Sequence, residues 1–181
     1  MKELVSVMRA ADAAARWHVN QRRKGAAQEP YINHLLDVAS MVTTATDGND
    51  PNLVIAALLH DAIEDQKIER EEIAEKFGED VAGLVCEVTD DKSLPKAERK
   101  RLQIATAAKK SPRAKILKLA DKASNLNSVA ASPPPDWPVQ RRLDYIAWSK
   151  DVVEALGADV PPLLKEEFSH AADRAEAAAR P

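Results

Sequence analysis

An almost unbroken apolar run that ends in a group of acidic residues constrains this chain more than any other feature. The run reads PNLVIAALLHDAIEDQ from Pro51 to Gln66. Asp50 is a good N-cap and Pro51 suits the first helical turn, so we expect a helix to begin here. The segment 53–59 has no polar face, which is typical of a helix covered by neighbours on nearly all sides. The sequence therefore predicts a central, buried helix over residues 51–66.

Four ionisable side chains lie near the C-terminal end of this predicted helix: His60, Asp61, Glu64 and Asp65. Their charged forms are costly to bury without a partner. Residues four apart lie roughly 5–6 Å from each other on a helix surface, so His60 is expected above Glu64 and Asp61 above Asp65. A histidine at a helix end is commonly a packed or capping residue. The second carboxylate pair, one turn further on, favours a metal ion facing this patch instead.

The composition indicates an all-α fold. Only 4% of the residues are aromatic, and the good helix formers Ala, Leu, Glu, Lys and Arg are abundant. We expect a bundle of roughly eight to ten helices that forms one domain over residues 1–181. No apolar run is long enough to span a bilayer and the N-terminus is too polar for a signal peptide, so we expect a soluble, cytoplasmic protein. The single cysteine, Cys86, is expected to pack as a small buried hydrophobe.

The charge pattern bears on the partners. The net charge of -3 argues against a general nucleic-acid binder. Basic residues are nevertheless clustered in QRRK at 21–24, in KAERKR at 96–101, in KK and RAK within 109–115 and in the pair 141–142. Each cluster alone is an ordinary solvated helix face, but together they could line a mouth that attracts a polyanion. The sequence leaves the oligomeric state open.

Further elements follow from helical spacing. A first helix is predicted over 3–19, with an apolar stripe that includes Leu4 and Met8 and with His18 as a packing residue. Pro30 opens a second helix that carries His34 close to its apolar stripe. Another helix follows Ser111 and carries Asp121. The last segment becomes rich in small and charged residues, so its end, from about residue 170, is expected to fray.

Four side chains on three separate segments could converge: His34, His60, Asp61 and Asp121. Two imidazoles and two carboxylates make a mixed nitrogen and oxygen site for a divalent transition metal. Open positions on such a metal could hold water and substrate oxygens. A set of unrelated buried polar groups would leave too many carboxylates unpaired.

With these residues, the sequence resembles the HD-domain phosphohydrolases. Among them it is similar to the small alarmone hydrolases of the metazoan SpoT homologue type and to the hydrolase domain of RelA/SpoT proteins. The matching stretches run through most of the chain, from QRRKGAAQEPYINHLLDVA through ALLHDAIED, FGEDVAGLVCEVTDDKSLPKAERKRLQ and AKILKLADKASNLNSV to LDYIAW.

The resemblance implies an HD fold with manganese held by His34, His60, Asp61 and Asp121. It implies hydrolysis of the 3′-diphosphate of guanosine tetraphosphate and pentaphosphate, to GDP or GTP and pyrophosphate, by a guanosine-3′,5′-bis(diphosphate) 3′-pyrophosphohydrolase. The carboxylates that match the catalytic pair of the family are Glu64 and Asp65. Because the chain ends too early to carry a synthetase domain, it is expected to degrade alarmone without making it.

The contacts to the substrate rest mainly on the resemblance. The candidate phosphate ligands are Arg23, Lys24 and Arg142, since guanidinium groups suit paired oxygens. Asn125 can hydrogen-bond a sugar, and Tyr145 can stack on the nucleoside. Two alternatives remain open: removal of the 2′-phosphate of NADPH, or another HD-type nucleotide phosphohydrolysis, and a module that senses alarmone without turnover. Iron, cobalt, nickel or zinc would also suit the same ligands.

Overall fold

The computed structural model describes residues 2–180, which form ten α-helices and, within that range, no β-strand. The all-α prediction is therefore confirmed. In chain order the helices are α1 (Lys2–Trp17), α2 (Ile32–Ala45), α3 (Pro51–Leu59), α4 (Ala62–Gln66), α5 (Arg70–Phe77), α6 (Glu79–Val88), α7 (Lys96–Ala107), α8 (Pro112–Ala131), α9 (Val139–Leu156) and α10 (Pro162–Ala179).

Helix α3 lies at the centre of the bundle, as its sequence predicts. All seven residues from Leu53 to Leu59 are buried, and α1, α2, α6 and α8 pack around them. Asp50 caps the helix by accepting a hydrogen bond from the Leu53 N–H at 3.0 Å. Each fully buried leucine contributes about 1.5–3 kcal/mol to folding. This packing holds the C-terminal end of α3 in a fixed place.

The predicted continuous helix over 51–66 is wrong at one point. Helix α3 ends at Leu59, and a turn at His60 and Asp61 separates it from α4. Asp61 leaves helical geometry with φ -100° and ψ 2°. Consecutive side chains on a straight helix point about 100° apart. The turn instead lets His60 and Asp61 face the same cavity.

Helix α1 buries a different face from the predicted one. Ala10 and Ala14 are buried against the core, whereas Leu4 and Met8 are 65% and 61% exposed. The small side chains let α1 approach α3 closely, and this leaves the longer apolar residues outside. Cys86 is also exposed, because α6 buries Val85 and its neighbours on the opposite face. The prediction that Cys86 is buried was therefore wrong.

The last helix continues almost to the end of the described range. Helix α10 runs to Ala179 and packs along α8. The alanines that suggested a weak tail form its buried face, with Ala171, Ala172 and Ala175 at 0–1% exposure. Small residues permit a close helix pair, which gives this alanine-rich segment a buried face. Within residues 2–180, none of the helices combines the length and apolar character that a bilayer crossing requires.

Candidate active site

Two buried histidines direct their Nε2 atoms toward the same pair of carboxylates, Asp61 and Asp121. His60 at the end of α3 bonds through Nδ1 to the carbonyl oxygen of Ala57 at 2.7 Å, so Nδ1 carries a hydrogen. His34 on α2 is bonded through Nδ1 to the Ser124 hydroxyl at 2.9 Å. The Nε2 atoms of both rings are buried and have no hydrogen-bond partner. Such an arrangement is typical of metal-ligating histidines, whose outer nitrogen is held by a second group.

Two carboxylates approach the same nitrogen atoms. Oδ2 of Asp61 lies 3.2 Å from His60 Nε2 and 3.8 Å from His34 Nε2. Oδ1 of Asp121, on α8, lies 3.3 Å from His34 Nε2 and 3.7 Å from His60 Nε2. The ligand atoms of His34, His60 and Asp121 all lie within 4.8 Å of one another. The structure thus brings together all four residues predicted to hold a metal, and this donor set fits a divalent cation.

The electrostatics of this cluster also favour a cation. Burial alone disfavours a charged ring, but Asp61 and Asp121 outweigh it and raise the pKa of His60 to about 10. Burial lowers the pKa of His34, which leaves that ring neutral. Burial likewise opposes ionisation of Asp61, yet the neighbouring His60 lowers the pKa of this carboxyl. The two carboxylates therefore require a nearby positive charge, which a bound metal ion would supply.

Three further side chains hold these carboxylates in place. The Tyr31 hydroxyl donates a hydrogen bond to Asp61 Oδ2 at 2.6 Å. The Asn125 amide donates to Asp121 Oδ1 at 2.6 Å, and Lys122 Nζ lies 3.2 Å from Asp121 Oδ2. Lys122 is itself buried. The orientation of each acid is therefore fixed by at least one neighbouring side chain.

The acidic pair, Glu64 and Asp65, lies on α4 at the edge of the cluster and lines the same cavity. The backbone N–H of Asp90 donates to Glu64 Oε2 at 3.3 Å, and Lys92 Nζ lies 2.5 Å from Asp65 Oδ1 and 3.8 Å from Glu64 Oε1. Burial, with the charges of Asp61 and Asp90, raises the pKa of Glu64. A carboxyl group whose pKa is raised is better matched to accepting and releasing a proton than an unperturbed one.

The cavity has a volume of about 520 Å³ and contains four of the five predicted substrate contacts: Arg23, Lys24, Asn125 and Tyr145. Arg23 Nη2 donates to Asn125 Oδ1 at 3.0 Å and so links the loop 18–31 to α8. The loop approaches α8 closely because Gly25 has no side chain there.

The fifth predicted contact, Arg142, is not brought to the cavity. Its side chain lies against α10, with Nη1 3.4 Å from the carbonyl oxygen of Ala178. The neighbouring Arg141 lies on the side of Trp137, with its guanidinium carbon 4.6 Å from the ring centroid. Adjacent residues on a helix differ by about 100° in direction, so the sequence pair alone could not show that the side chain of Arg142 is directed toward α10.

The cluster 96–101 was expected to help line a mouth for a polyanion, but its members were not named among the site residues. Helix α7 presents a basic face, defined by Lys96, Arg99 and Lys100, which lines the same cavity, with Arg99 Nη1 3.7 Å from Glu64 Oε1. Their spacing of three and four residues is the signal that could have identified this face. The Lys100 ammonium also lies 4.5 Å from the centroid of the Trp148 ring.

Comparisons with known proteins agree with this site. A family model described as an HD domain matches residues 10–164. The guanosine-3′,5′-bis(diphosphate) 3′-pyrophosphohydrolase MESH1 of Drosophila melanogaster is 48% identical over 143 residues, covering 79% of this chain and 80% of that protein. The MESH1 protein of Homo sapiens is 46% identical over 154 residues, covering 85% of this chain and 86% of that protein.

A solved structure gives the same result in three dimensions. It is that of a metazoan ortholog of SpoT, described as hydrolysing ppGpp and playing a role in starvation responses. The TM-score is 0.87 at 43% identity, covering 92% of this chain and 93% of the other. The resemblance noted in the sequence is thereby confirmed: the chain belongs to the HD-domain family, in the group that contains the MESH1 pyrophosphohydrolases.

Proposed function

We propose that this chain hydrolyses the 3′-diphosphate of guanosine-3′,5′-bis(diphosphate) and its pentaphosphate analogue, with GDP or GTP and pyrophosphate as products. The observation that carries the proposal is the juxtaposition of two partnerless histidine Nε2 atoms and two carboxylates with the acidic pair. The relatives named for this reaction are similar over most of the chain. The proposed enzyme is one hydrolase domain over residues 1–181 that acts in the cytoplasm on a small guanine nucleotide.

The metal is proposed to be manganese, held by His34, His60, Asp61 and Asp121. Imidazole and carboxylate ligands suit a divalent ion of this class. When bound, such an ion lowers the pKa of a coordinated water and offsets charge that develops on the phosphoryl group. The donor set is supported by the free Nε2 atoms and by the outer hydrogen bonds to Ser124 and Ala57.

The acidic pair is proposed to move the protons. Hydrolysis forms a bond from the water oxygen to the phosphorus and breaks the bond from that phosphorus to the ribose 3′-oxygen. Glu64 accepts the proton that the attacking water loses, and its raised pKa suits that role. Asp65 assists transfer of a proton to the departing 3′-oxygen, so the ribose leaves as a neutral alcohol.

The basic residues of the cavity are proposed to hold the phosphates. Arg23 and Lys24 reach the cavity from the loop 18–31, and the basic face reaches it from α7. Within residues 2–180, Lys96 and Lys100 make no ion pair with a carboxylate. Burial and neighbouring cations lower the pKa of Lys96 and Lys100. Uncompensated positive charge in a cavity attracts a polyanionic ligand. Asn125 and Tyr145 complete the proposed pocket; Arg142 is left out because it faces α10.

Identification of the phosphorus product by NMR tests the proposal. The purified chain is incubated with manganese and either guanosine tetraphosphate or NADPH. Pyrophosphate from the first substrate supports the proposal. Orthophosphate from NADPH, with the guanosine substrate intact, would contradict the proposal and support the 2′-phosphatase alternative. Binding of either nucleotide without any product would instead indicate a sensing module.

Matched variants connect the product to the acidic pair. Glu64→Gln and Asp65→Asn are expected to lower kcat by at least about 100-fold, since each removes a proton-transfer group. Glu75→Gln is the control, because Glu75 is exposed on α5. If both cavity variants retained the activity of the control, the assigned roles would be wrong.

A further inference from the structure

A buried histidine outside the metal cluster is joined to the acidic pair by a side-chain amide. His18 follows the end of α1 and is only 2% exposed. Its ring stacks on Tyr31 with centroids 5.2 Å apart and an interplanar angle of 15°. Its Nδ1 lies 2.6 Å from Oε1 of Gln21, and Nε2 of Gln21 donates to Asp65 Oδ2 at 2.6 Å.

The direction of each hydrogen bond follows from the carboxylate. An ionised carboxylate only accepts, so the Gln21 group that faces Asp65 must be the NH₂ group. The amide oxygen of Gln21 then faces His18, and it also accepts from Gln66 Nε2 at 2.5 Å. Because an amide oxygen only accepts, Nδ1 of His18 must carry the hydrogen. Gln66 Nε2 and His18 Nδ1 lie 3.2 Å apart. Both atoms are donors to the same oxygen, Oε1 of Gln21, and this shared acceptor explains why they lie close together.

The other ring nitrogen supports the same assignment. Nε2 of His18 is buried and has no partner within the described residues. Burial, which outweighs the hydrogen bond to Gln21, lowers the pKa of His18 and keeps the ring neutral. A neutral ring has a single N–H, and that hydrogen lies on Nδ1. A buried lone pair on Nε2 is less costly than a buried N–H without an acceptor.

We infer that His18 is a positioning residue for the hydrolysis proposed above: it orients the Gln21 amide, and Gln21 in turn fixes the carboxylate of Asp65. The inference rests on the proposed function. With Oδ2 held by Gln21, Oδ1 of Asp65 remains directed to the cavity side, where Lys92 lies 2.5 Å away. A side chain free to rotate would assist proton transfer to the departing 3′-oxygen less often in the productive geometry.

Two substitutions distinguish the positioning role of His18 from a role in packing alone. His18→Phe keeps a ring to stack on Tyr31 but removes the donor. His18→Asn removes the ring but keeps an N–H donor at the position of Nδ1. We expect His18→Phe to lower kcat by about 10- to 100-fold with KM unchanged, and His18→Asn to stay within about threefold of the wild type. If packing alone mattered, the order of the two variants would be reversed.

A double-mutant cycle tests the route through Gln21. Gln21→Leu removes the donor to Asp65 and is expected to lower kcat about as much as His18→Phe does. Because both changes act through one amide, their effects should not add in the double variant. Additive losses would overturn the inference. Melting temperatures of all variants show whether a loss of kcat comes from unfolding.

A spectroscopic measurement tests the hydrogen-bond assignment without any turnover. In ¹⁵N-labelled protein, the two ring nitrogens of a neutral histidine have well-separated shifts, and His18→Phe identifies the signals of His18. The inference requires the Nδ1–H tautomer; an Nε2–H tautomer or a doubly protonated ring would overturn it. If the wild-type chain hydrolysed neither nucleotide, the proposed function would fail, and with it the role of His18 in catalysis. The tautomer of His18 would still test the hydrogen-bond assignment by itself.

Discussion

Tyr31 donates its hydroxyl hydrogen to Asp61 Oδ2 at 2.6 Å, so a residue just before α2 orients a proposed metal ligand that lies between α3 and α4. Burial and the charge of Asp61 raise the pKa of Tyr31 well above its usual value, which keeps the hydroxyl protonated and donating. The ring of Tyr31 also stacks on His18. Replacement of the hydroxyl alone therefore tests the orientation of Asp61.

We expect Tyr31→Phe to weaken manganese binding by about 10- to 100-fold, which is the usual effect of losing a hydrogen bond behind a metal ligand. The phenylalanine ring preserves the stack on His18, so the melting temperature of the metal-free protein should change little. Calorimetric titration of the metal-free protein measures the affinity. An unchanged dissociation constant would mean that Asp61 needs no support from Tyr31.

Chelation of the metal should lower thermal stability. A ligand present at 100 times its dissociation constant stabilises the folded state by about 2.7 kcal/mol, which corresponds to roughly 5–11 °C for a chain of this length. His60→Gln should abolish the manganese-dependent rise in melting temperature. His170→Gln should retain it, because His170 is exposed on α10. A rise that persists in the His60 variant would place the ion elsewhere.

The sequence could indicate which residue types would hold a metal, but not how their side chains are arranged in space. Ionisable groups that follow a fully apolar run need a partner, and this made His60 and Asp61 candidates from the sequence alone. Their convergence with His34 and Asp121 depends on how three helices pack, which no local pattern contains. The residue types suggested this convergence, and the family resemblance supported it.

The predictions that were wrong depend on tertiary contacts and on the direction in which a side chain leaves its helix. The helix break at Asp61 follows a run that is helical by every local criterion, and it coincides with the hydrogen bonds of His60 to Ala57 and of Tyr31 to Asp61. Arg142 was chosen from its place in a basic pair, whereas its direction toward α10 depends on how α9 packs. His18 looked like a packing residue because its link to Asp65 passes through the side chain of Gln21.

The basic face of α7 should govern substrate affinity more than turnover. We expect the double variant Lys96→Gln, Lys100→Gln to raise KM for guanosine tetraphosphate about tenfold, or about 1.4 kcal/mol of binding, with kcat little changed. The dependence of KM on ionic strength should also become weaker, since fewer charges attract the nucleotide. Lys109→Gln is the control, as Lys109 is exposed beyond the end of α7. Equal KM values for the double variant and the control would remove this face from the pocket.

The close approach of the loop 18–31 to α8 depends on the absence of a side chain at Gly25. A Cβ there would lie 2.2 Å from the backbone oxygen and 2.7 Å from Oγ of Ser132. We expect Gly25→Ala to destabilise the protein by about 1–3 kcal/mol, because packed backbone must move to relieve the overlap. It should also raise KM, since displacement of the loop separates Arg23 from Asn125.

The matched substitution for Gly25→Ala is Gly83→Ala. Gly83 lies within α6, and a Cβ there would meet no atom within 4 Å. Alanine loses less backbone freedom than glycine on folding, so this variant should be more stable by about 0.5–1 kcal/mol with unchanged KM. Urea denaturation and initial-rate kinetics measure both effects. Equal stability of the two variants would contradict the close contact with Ser132.

Arg113 on α8 links two acids near the start of α3 and gives the fold an acid-sensitive contact. Its guanidinium bonds to Asp50 through Nε and Nη2, both at 2.7 Å, and to Asp80 Oδ1 at 2.8 Å. The hydrogen bonds from Arg113, and secondly from Asn52, lower the pKa of Asp80 below its usual value of 3.8.

A lowered pKa of Asp80 in the folded state sets the sign of the pH dependence. The stabilisation by this carboxylate is fully present above about pH 4 and is lost as the pH falls through the lowered pKa. Asp80→Asn should therefore lower the melting temperature at pH 6 and flatten its fall between about pH 4 and 2. Because the side chain of Asp80 is half exposed, solvent screening keeps the effect small.

Glu75→Gln, at an exposed position on α5, should leave the dependence of the melting temperature on pH parallel to that of the wild type. An equally steep acid limb in the Asp80 variant would show that the contact with Arg113 contributes nothing to folding.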